Sequence, residues 1–161
     1  HLAQGSTVLD VGTGSGVLAI AAARLGARAV LALDADPEAV GVAQENVALN
    51  GVADRVTVRH GSLPGGDVVP RHFALDGSLD LLRDGQFDLV VVNILAAVIS
   101  GMSAALAARL GPDAKLIAAG LIESQEQEVV ERFRAQGLAI VERTREKDWV
   151  ALLARRVARR E

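Results

Sequence analysis

The segment Thr7-Val8-Leu9-Asp10-Val11 runs directly into Gly12-Thr13-Gly14-Ser15-Gly16, and this junction constrains the fold more than any other part of the chain. An apolar run without polar alternation is a strand buried on both faces. Glycine at every second position after it lets the backbone turn sharply and approach a ligand with no Cβ in the way. Val17 to Leu25 then reads as an Ala-rich helix stopped by Gly26. Strand, glycine turn and helix open a βαβ unit, whose turn lies at the ligand-binding edge of a parallel sheet. The alternative is a tight turn with no ligand. Val17 stands where the dinucleotide fingerprint G-x-G-x-x-G requires its third glycine, so the pattern disfavours a nicotinamide dehydrogenase.

The same rhythm continues. Ala29 to Leu33 is a second strand, and Asp36-Pro37-Glu38 starts a helix that runs to about Asn50 and stops at Gly51. Arg55 to Arg59 is a third strand. Gly61 to Gln86 breaks the pattern, with two of the four prolines and five of the sixteen glycines, and reads as an extended loop with one short helix near Leu79 and Leu82. Phe87 to Val92 is the most hydrophobic strand and ends at Asn93. Val98 to Leu110 reads as a helix stopped by Gly111-Pro112, Lys115 to Ala119 as a fifth strand, and Ser124 to Gln136 as an amphipathic helix burying Val129, Val130 and Phe133. Leu138 to Arg143 and Trp149 to Ala154 form a final hairpin across the charged turn Arg145-Glu146-Lys147-Asp148. Alternating elements predict an α/β three-layer sandwich on a mostly parallel seven-stranded sheet, and the hairpin predicts one antiparallel strand.

Composition supports one such domain over residues 1–161. Half the residues are hydrophobic but only 2% are aromatic, so small aliphatics must build a closely packed core. Cysteine is absent, which excludes disulfides, Cys-zinc sites and thiol catalysis. A net charge of -3 argues against direct nucleic-acid binding. The Arg155-Arg156-Val157-Ala158-Arg159-Arg160 run reads as a solvated tail, and fifteen arginines against two lysines reflect genome composition rather than a binding surface. No apolar run reaches the length of roughly 18 residues that spans a bilayer, and no signal peptide is visible, so the expected setting is cytoplasmic. The chain begins at His1, and a piece of a longer protein is expected.

Candidate site residues cluster at predicted strand ends. Asp34 ends the second strand 22 residues after Gly12, where an acid accepts the two ribose hydroxyls of a nucleoside. Asp36, before Pro37, is read as a helix cap. Ser62 follows the third strand and either meets an adenine edge or is an ordinary turn serine. Asn93 emerges from the most buried strand with an acceptor and two donors in fixed geometry; the alternative is a strand-end turn former. His60 and His72 are candidates by type only. No Asp, Glu and His group has metal-ligand spacing, so no metal is expected.

The run Asp10-x-Gly12-x-Gly14-x-Gly16 resembles the first motif of S-adenosylmethionine-dependent methyltransferases, and the predicted sheet resembles their Rossmann-like class I architecture. Together with Leu33-Asp34-Ala35-Asp36-Pro37, Val92-Asn93-Ile94-Leu95, Gly120-Leu121-Ile122-Glu123-Ser124-Gln125 and Trp149-Val150-Ala151-Leu152, it resembles the PrmA-type ribosomal protein methyltransferases from about Val8 to Arg156. The resemblance implies an S-adenosylmethionine-dependent N-methyltransferase acting on lysine or N-terminal amines of protein eleven of the large ribosomal subunit. It implies cofactor contacts at Gly12, Asp34 and Asn93, to which the glycine motif and the strand ends add Asp10, Gly14, Gly16 and Ser62 as candidates, with a catalytic Asn93 and substrate positioning by Ile94 and Leu95. It also implies a docking domain and a Thr-containing closing segment upstream of His1. The Gly61 to Gln86 stretch is longer than that family needs. A small-molecule methyltransferase and a non-catalytic cofactor-binding module are the alternatives.

Overall fold

The computed structural model describes residues 1–64 and 85–157. The expected helix near Leu79 and Leu82, the loop around it, His72 and the last residues of the basic tail lie outside the described residues. The elements are β1 (Thr7–Val11), α1 (Val17–Arg24), β2 (Ala29–Asp34), α2 (Pro37–Leu49), β3 (Val56–His60), β4 (Phe87–Asn93), α3 (Ala96–Gly101), α4 (Ser103–Ala108), β5 (Leu110–Ile122), α5 (Glu123–Ala135), β6 (Leu138–Glu146) and β7 (Trp149–Arg156). They build a seven-stranded sheet in the order β3-β2-β1-β4-β5-β7-β6. All neighbouring pairs are parallel except β5 with β7 and β6 with β7, so β7 alone runs against the others.

Alternation along β1 assigns the two faces. Leu9 and Val11 join a core with α3, α4 and α5, in which Phe133 is fully buried beside Val129 and Leu138. Val8 joins the opposite core with Val30 and Ala32, Ala19, Ala22 and Ala23 of α1, and Ala43 of α2. That second layer is almost wholly Ala and Val, so helix and sheet backbones approach closely, as the aromatic-poor composition requires. Asp36 caps α2 as expected: its Oδ1 accepts from Glu38 N at 2.9 Å, and Pro37 occupies the first helical position. Acids in the first turn of α5 and arginines in its last turn complement the helix dipole.

Three segments depart from the sequence reading. The single helix expected over Val98 to Leu110 is two short ones, parted at Met102 beside Gly101, whose missing side chain weakens the helix there. Strand β5 begins at Leu110 and passes through Gly111-Pro112 instead of starting after it. Its pairing with β4 jumps from Phe87↔Leu110 to Leu89↔Lys115, so Pro112 sits in a bulge where no ladder donor is demanded of it. The hairpin turn is Lys147-Asp148 alone, because Arg145 and Glu146 continue β6 and pair with Val150 and Trp149.

Candidate active site

The strand order reverses between β1 and β4, and the carboxyl ends of β1, β2, β3 and β4 carry the predicted site residues. The glycine loop hangs from the end of β2: Gly12 N and Thr13 N both donate to the Leu33 carbonyl, at 2.8 and 2.9 Å. Gly12, Gly14 and Gly16 all take positive φ, which explains the alternating pattern. Their surroundings differ. A Cβ on Gly12 would strike the Ile94 side chain, and one on Gly16 would press on Ala43 of α2 at 3.3 Å. A Cβ on Gly14 would meet nothing within 4 Å, so the loop faces open space there.

Asp34 clamps this loop. Its Oδ2 accepts from Gly14 N at 2.8 Å and its Oδ1 from Asp36 N at 3.0 Å, which ties the glycine turn to the β2–α2 turn. Asp10 lies below the loop and is 1% exposed. Thr13 Oγ1 donates to its Oδ2 at 2.6 Å, while its Oδ1 has no hydrogen-bond partner. Burial pushes the Asp10 carboxyl up to about 6; the Thr13 hydroxyl and the Ala19 N–H draw it down, and the Asp34 charge raises it. Asp10 thus shapes the loop from the core side. Ser62 is buried just beyond β3, beside Gly61, whose N–H donates to the Asp34 carbonyl. His60 is exposed, with its ring nitrogen 3.0 Å from the Ala35 carbonyl, and stands on the turn rather than in the cleft described next.

Asn93 stands exposed at the end of β4, in register with Ala119 of β5. It lines a cleft of about 440 Å³ together with Gly120 and the hairpin residues Thr144, Glu146, Trp149 and Ala151. Ile94 turns inward against Gly12, whereas Leu95 is 74% exposed and starts α3, its carbonyl accepting from Val98 N and Ile99 N. The hairpin wall is braced from its other face. Arg143 makes a two-pronged bond to Glu126 at 2.7 Å on each prong, and Arg145 meets Glu123 at 2.6 Å. The Arg143 guanidinium holds the Glu126 carboxyl below its usual range. Sequence reasoning did not assign Gly120, Thr144 or Glu146 to the site; the signals available were the lone tryptophan of the chain and a glycine directly after the predicted strand Lys115 to Ala119. Among the described residues no group of three His, Asp or Glu side chains can hold a metal ion, and no helix is long and apolar enough to cross a membrane.

Comparison with known proteins agrees with this geometry. Residues 1–157 match the family model for ribosomal protein L11 methyltransferase (PrmA). The ribosomal protein L11 methyltransferase of Chloroflexus aurantiacus is 48% identical over 94% of this chain and 49% of its own length, so the chain spans about half of that relative. The crystal structure of a ribosomal protein L11 methylase from Lactobacillus delbrueckii subsp. bulgaricus superposes with a TM-score of 0.78 at 33% identity, covering 96% of this chain and 72% of that one. An RNA methyltransferase from Salinibacter ruber, solved in complex with S-adenosyl-L-homocysteine, shares the fold with a TM-score of 0.65 at 21% identity, over 92% and 78% of the two chains. A Rossmann-like sheet closed by an antiparallel hairpin, a glycine loop pinned by a strand-end acid and this match across nearly the whole chain lead to one assignment: the chain belongs to the ribosomal protein L11 methyltransferase (PrmA) family.

Proposed function

We propose that this chain is the catalytic domain of an S-adenosylmethionine-dependent protein N-methyltransferase whose acceptors are lysine or N-terminal amines of protein eleven of the large ribosomal subunit. The observation that carries the reading is the juxtaposition of two half-sites. The Asp34-pinned glycine loop touches Ile94 through Gly12, and the next residue back along the chain, Asn93, faces a separate cleft. The loop suits the cofactor: Gly14 opens onto free space, and each Asp34 oxygen accepts only one backbone N–H, which leaves acceptor capacity for ribose hydroxyls. Gly12, Gly14 and Asp34 would hold the nucleoside, with Gly16, Asp10 and Thr13 shaping the loop beneath it and Ser62 beside the base. A fold relative solved with S-adenosyl-L-homocysteine supports the same choice. When bound, S-adenosylmethionine supplies a methyl group already activated on a sulfonium.

The task left to the chain is to bind, desolvate and aim an amine. A lysine amine has an unperturbed pKa of about 10.4, and loss of water on moving from the cleft mouth toward the cofactor side disfavours its charged form. Glu146, which makes no ion pair among the described residues, and the half-exposed Trp149 attract an incoming ammonium to the cleft mouth. Deeper in, the Asn93 carboxamide oxygen and the Ile94 carbonyl accept the protons of the neutral amine and direct its lone pair toward the cofactor side. The surplus proton leaves to solvent through the cleft mouth, past the Glu146 carboxylate. The chain spans about half the length of its curated relatives, and this reading assigns substrate docking to the remainder and the reaction to the cytoplasm.

Two measurements test the proposal. Calorimetry should show S-adenosylhomocysteine binding to the chain, with no heat from NAD. In the intact protein, Asn93→Ala should slow single-turnover methylation on the order of a hundredfold, the cost of a lost alignment of a few kcal/mol, while cofactor affinity changes far less. NAD binding without a response to S-adenosylhomocysteine, or wild-type turnover by Asn93→Ala, would overturn it.

A further inference from the structure

Gly120 lies inside β5 at the site, where the pairing with β7 slips. Ala118 faces Leu152 and Leu121 faces Val150, so three steps along β5 match two along β7. Such a bulge bends the strand and re-aims what lies beside it. Gly120 carries the bulge with φ of +77°, and its Cα faces the β4 exit. A Cβ at this position would lie 2.7 Å from Asn93 Oδ1, 3.0 Å from the Ile94 carbonyl oxygen and 3.3 Å from Ile94 N. Two of these three contacts are therefore the two acceptors assigned to the amine. The other flank of the same dipeptide is held by Gly12, whose backbone touches the Ile94 side chain. The Asn93-Ile94 segment is thus gripped between two glycines, one from the cofactor loop and one from the β5 bulge.

We propose that Gly120 is a positioning residue for methyl transfer, its missing side chain leaving the space in which the Asn93 carboxamide and the Ile94 carbonyl are held together on the cleft wall. The inference rests on the amine-aiming role proposed for Asn93. It differs from a purely conformational need for glycine, which the positive φ alone would explain, because it requires Gly120 to act through Asn93. A methyl group at position 120 drives the carboxamide off the wall and separates the paired acceptors. The glycine loop, on the far side of Ile94, keeps its contacts to Leu33 and Asp34.

A double-mutant cycle on the intact protein decides it, with single-turnover rate and S-adenosylhomocysteine affinity measured for Gly120→Ala, Asn93→Ala and the double variant. Gly120→Ala should lose rate on the order of a hundredfold, as Asn93→Ala does, with cofactor affinity within about threefold of wild type. In the Asn93→Ala background the same change should alter the rate by less than about threefold, since the group it displaces is already gone. Multiplying losses, or a wild-type rate for Gly120→Ala beside a slow Asn93→Ala, would overturn the role of Gly120 and leave that of Asn93 standing. A wild-type rate for Asn93→Ala would overturn both. If Gly120→Ala fails to fold, recovery of folding in the double variant supports the contact, and failure in both backgrounds shows that the glycine serves the bulge alone.

Discussion

Replacing Asp34 by alanine tests the best-defined contact in the site. The carboxylate accepts two backbone N–H groups, Gly14 N at 2.8 Å and Asp36 N at 3.0 Å, and is only partly exposed. Hydrogen bonds to a charged acceptor contribute about 1.5–3 kcal/mol each, and water at this half-open site replaces part of that. The expected stability loss for Asp34→Ala is therefore about 2 kcal/mol, read as a melting shift of roughly 4–8 °C for a domain of this size. Cofactor binding should suffer more. Two ribose hydroxyl bonds lost at about 1.5 kcal/mol or more each reduce affinity at least on the order of a hundredfold, and an unpinned Gly14 adds to the loss. Asp34→Asn keeps one acceptor oxygen and turns an amide N–H toward the other donor, so it should fall between wild type and alanine. Asp36→Ala is the control: it removes the cap on Glu38 N, costs about 1 kcal/mol of stability, and leaves affinity within about twofold. The assays are urea unfolding and calorimetry with S-adenosylhomocysteine. Wild-type affinity in Asp34→Ala, or equal affinity losses at positions 34 and 36, would refute the division of roles.

Asp10 should make stability depend on pH with an unusual sign. Its carboxyl titrates near 6 when folded against 3.8 in the unfolded chain, so the fold binds the proton more tightly; the stability it contributes is full below about pH 4 and is lost as pH rises through 6, a change of about 3 kcal/mol. Asp10→Asn should abolish that slope in urea unfolding between pH 4 and 7, and an unchanged slope would show that folding does not raise the proton affinity of this carboxyl. Phe133, fully buried among Val129, Leu138 and the sheet, should cost about 3–5 kcal/mol when cut to alanine; a loss under 1 kcal/mol in the same assay would mean that α5 is not anchored through this ring.

Much of the architecture was legible because its causes are local. The predominantly apolar runs at 7–11, 29–33 and 87–92 mark buried strands, the Asp36-Pro37 pair marks a helix start, and alternating glycines mark a turn that needs positive φ. The position of Asp34 beside that turn followed as well, since consecutive strands of a parallel sheet end on one edge. Other features were not legible. Pro112 signalled a strand boundary, but the bulge opposite Phe87 absorbs it and β5 continues on both sides. Val98 to Leu110 has helical periodicity throughout, yet Met102 parts it into two helices. The burial that pushes Asp10 upward comes with its place inside the sheet, between Ala32 of β2 and Val91 of β4, which a D-x-G-x-G-x-G string does not reveal. The cleft wall is more remote still: Asn93, Gly120, Glu146 and Trp149 come from four strands and meet only because β7 inserts between β5 and β6. The sequence by itself determined the elements, the glycine loop and the acid that pins it, because steric limits on φ and hydrophobic periodicity act over a few neighbouring residues. Tertiary structure alone decided the raised proton affinity of Asp10, the bulge at Gly120 and the shape of the cleft beside Asn93, because desolvation, register and excluded volume depend on which strands are brought side by side.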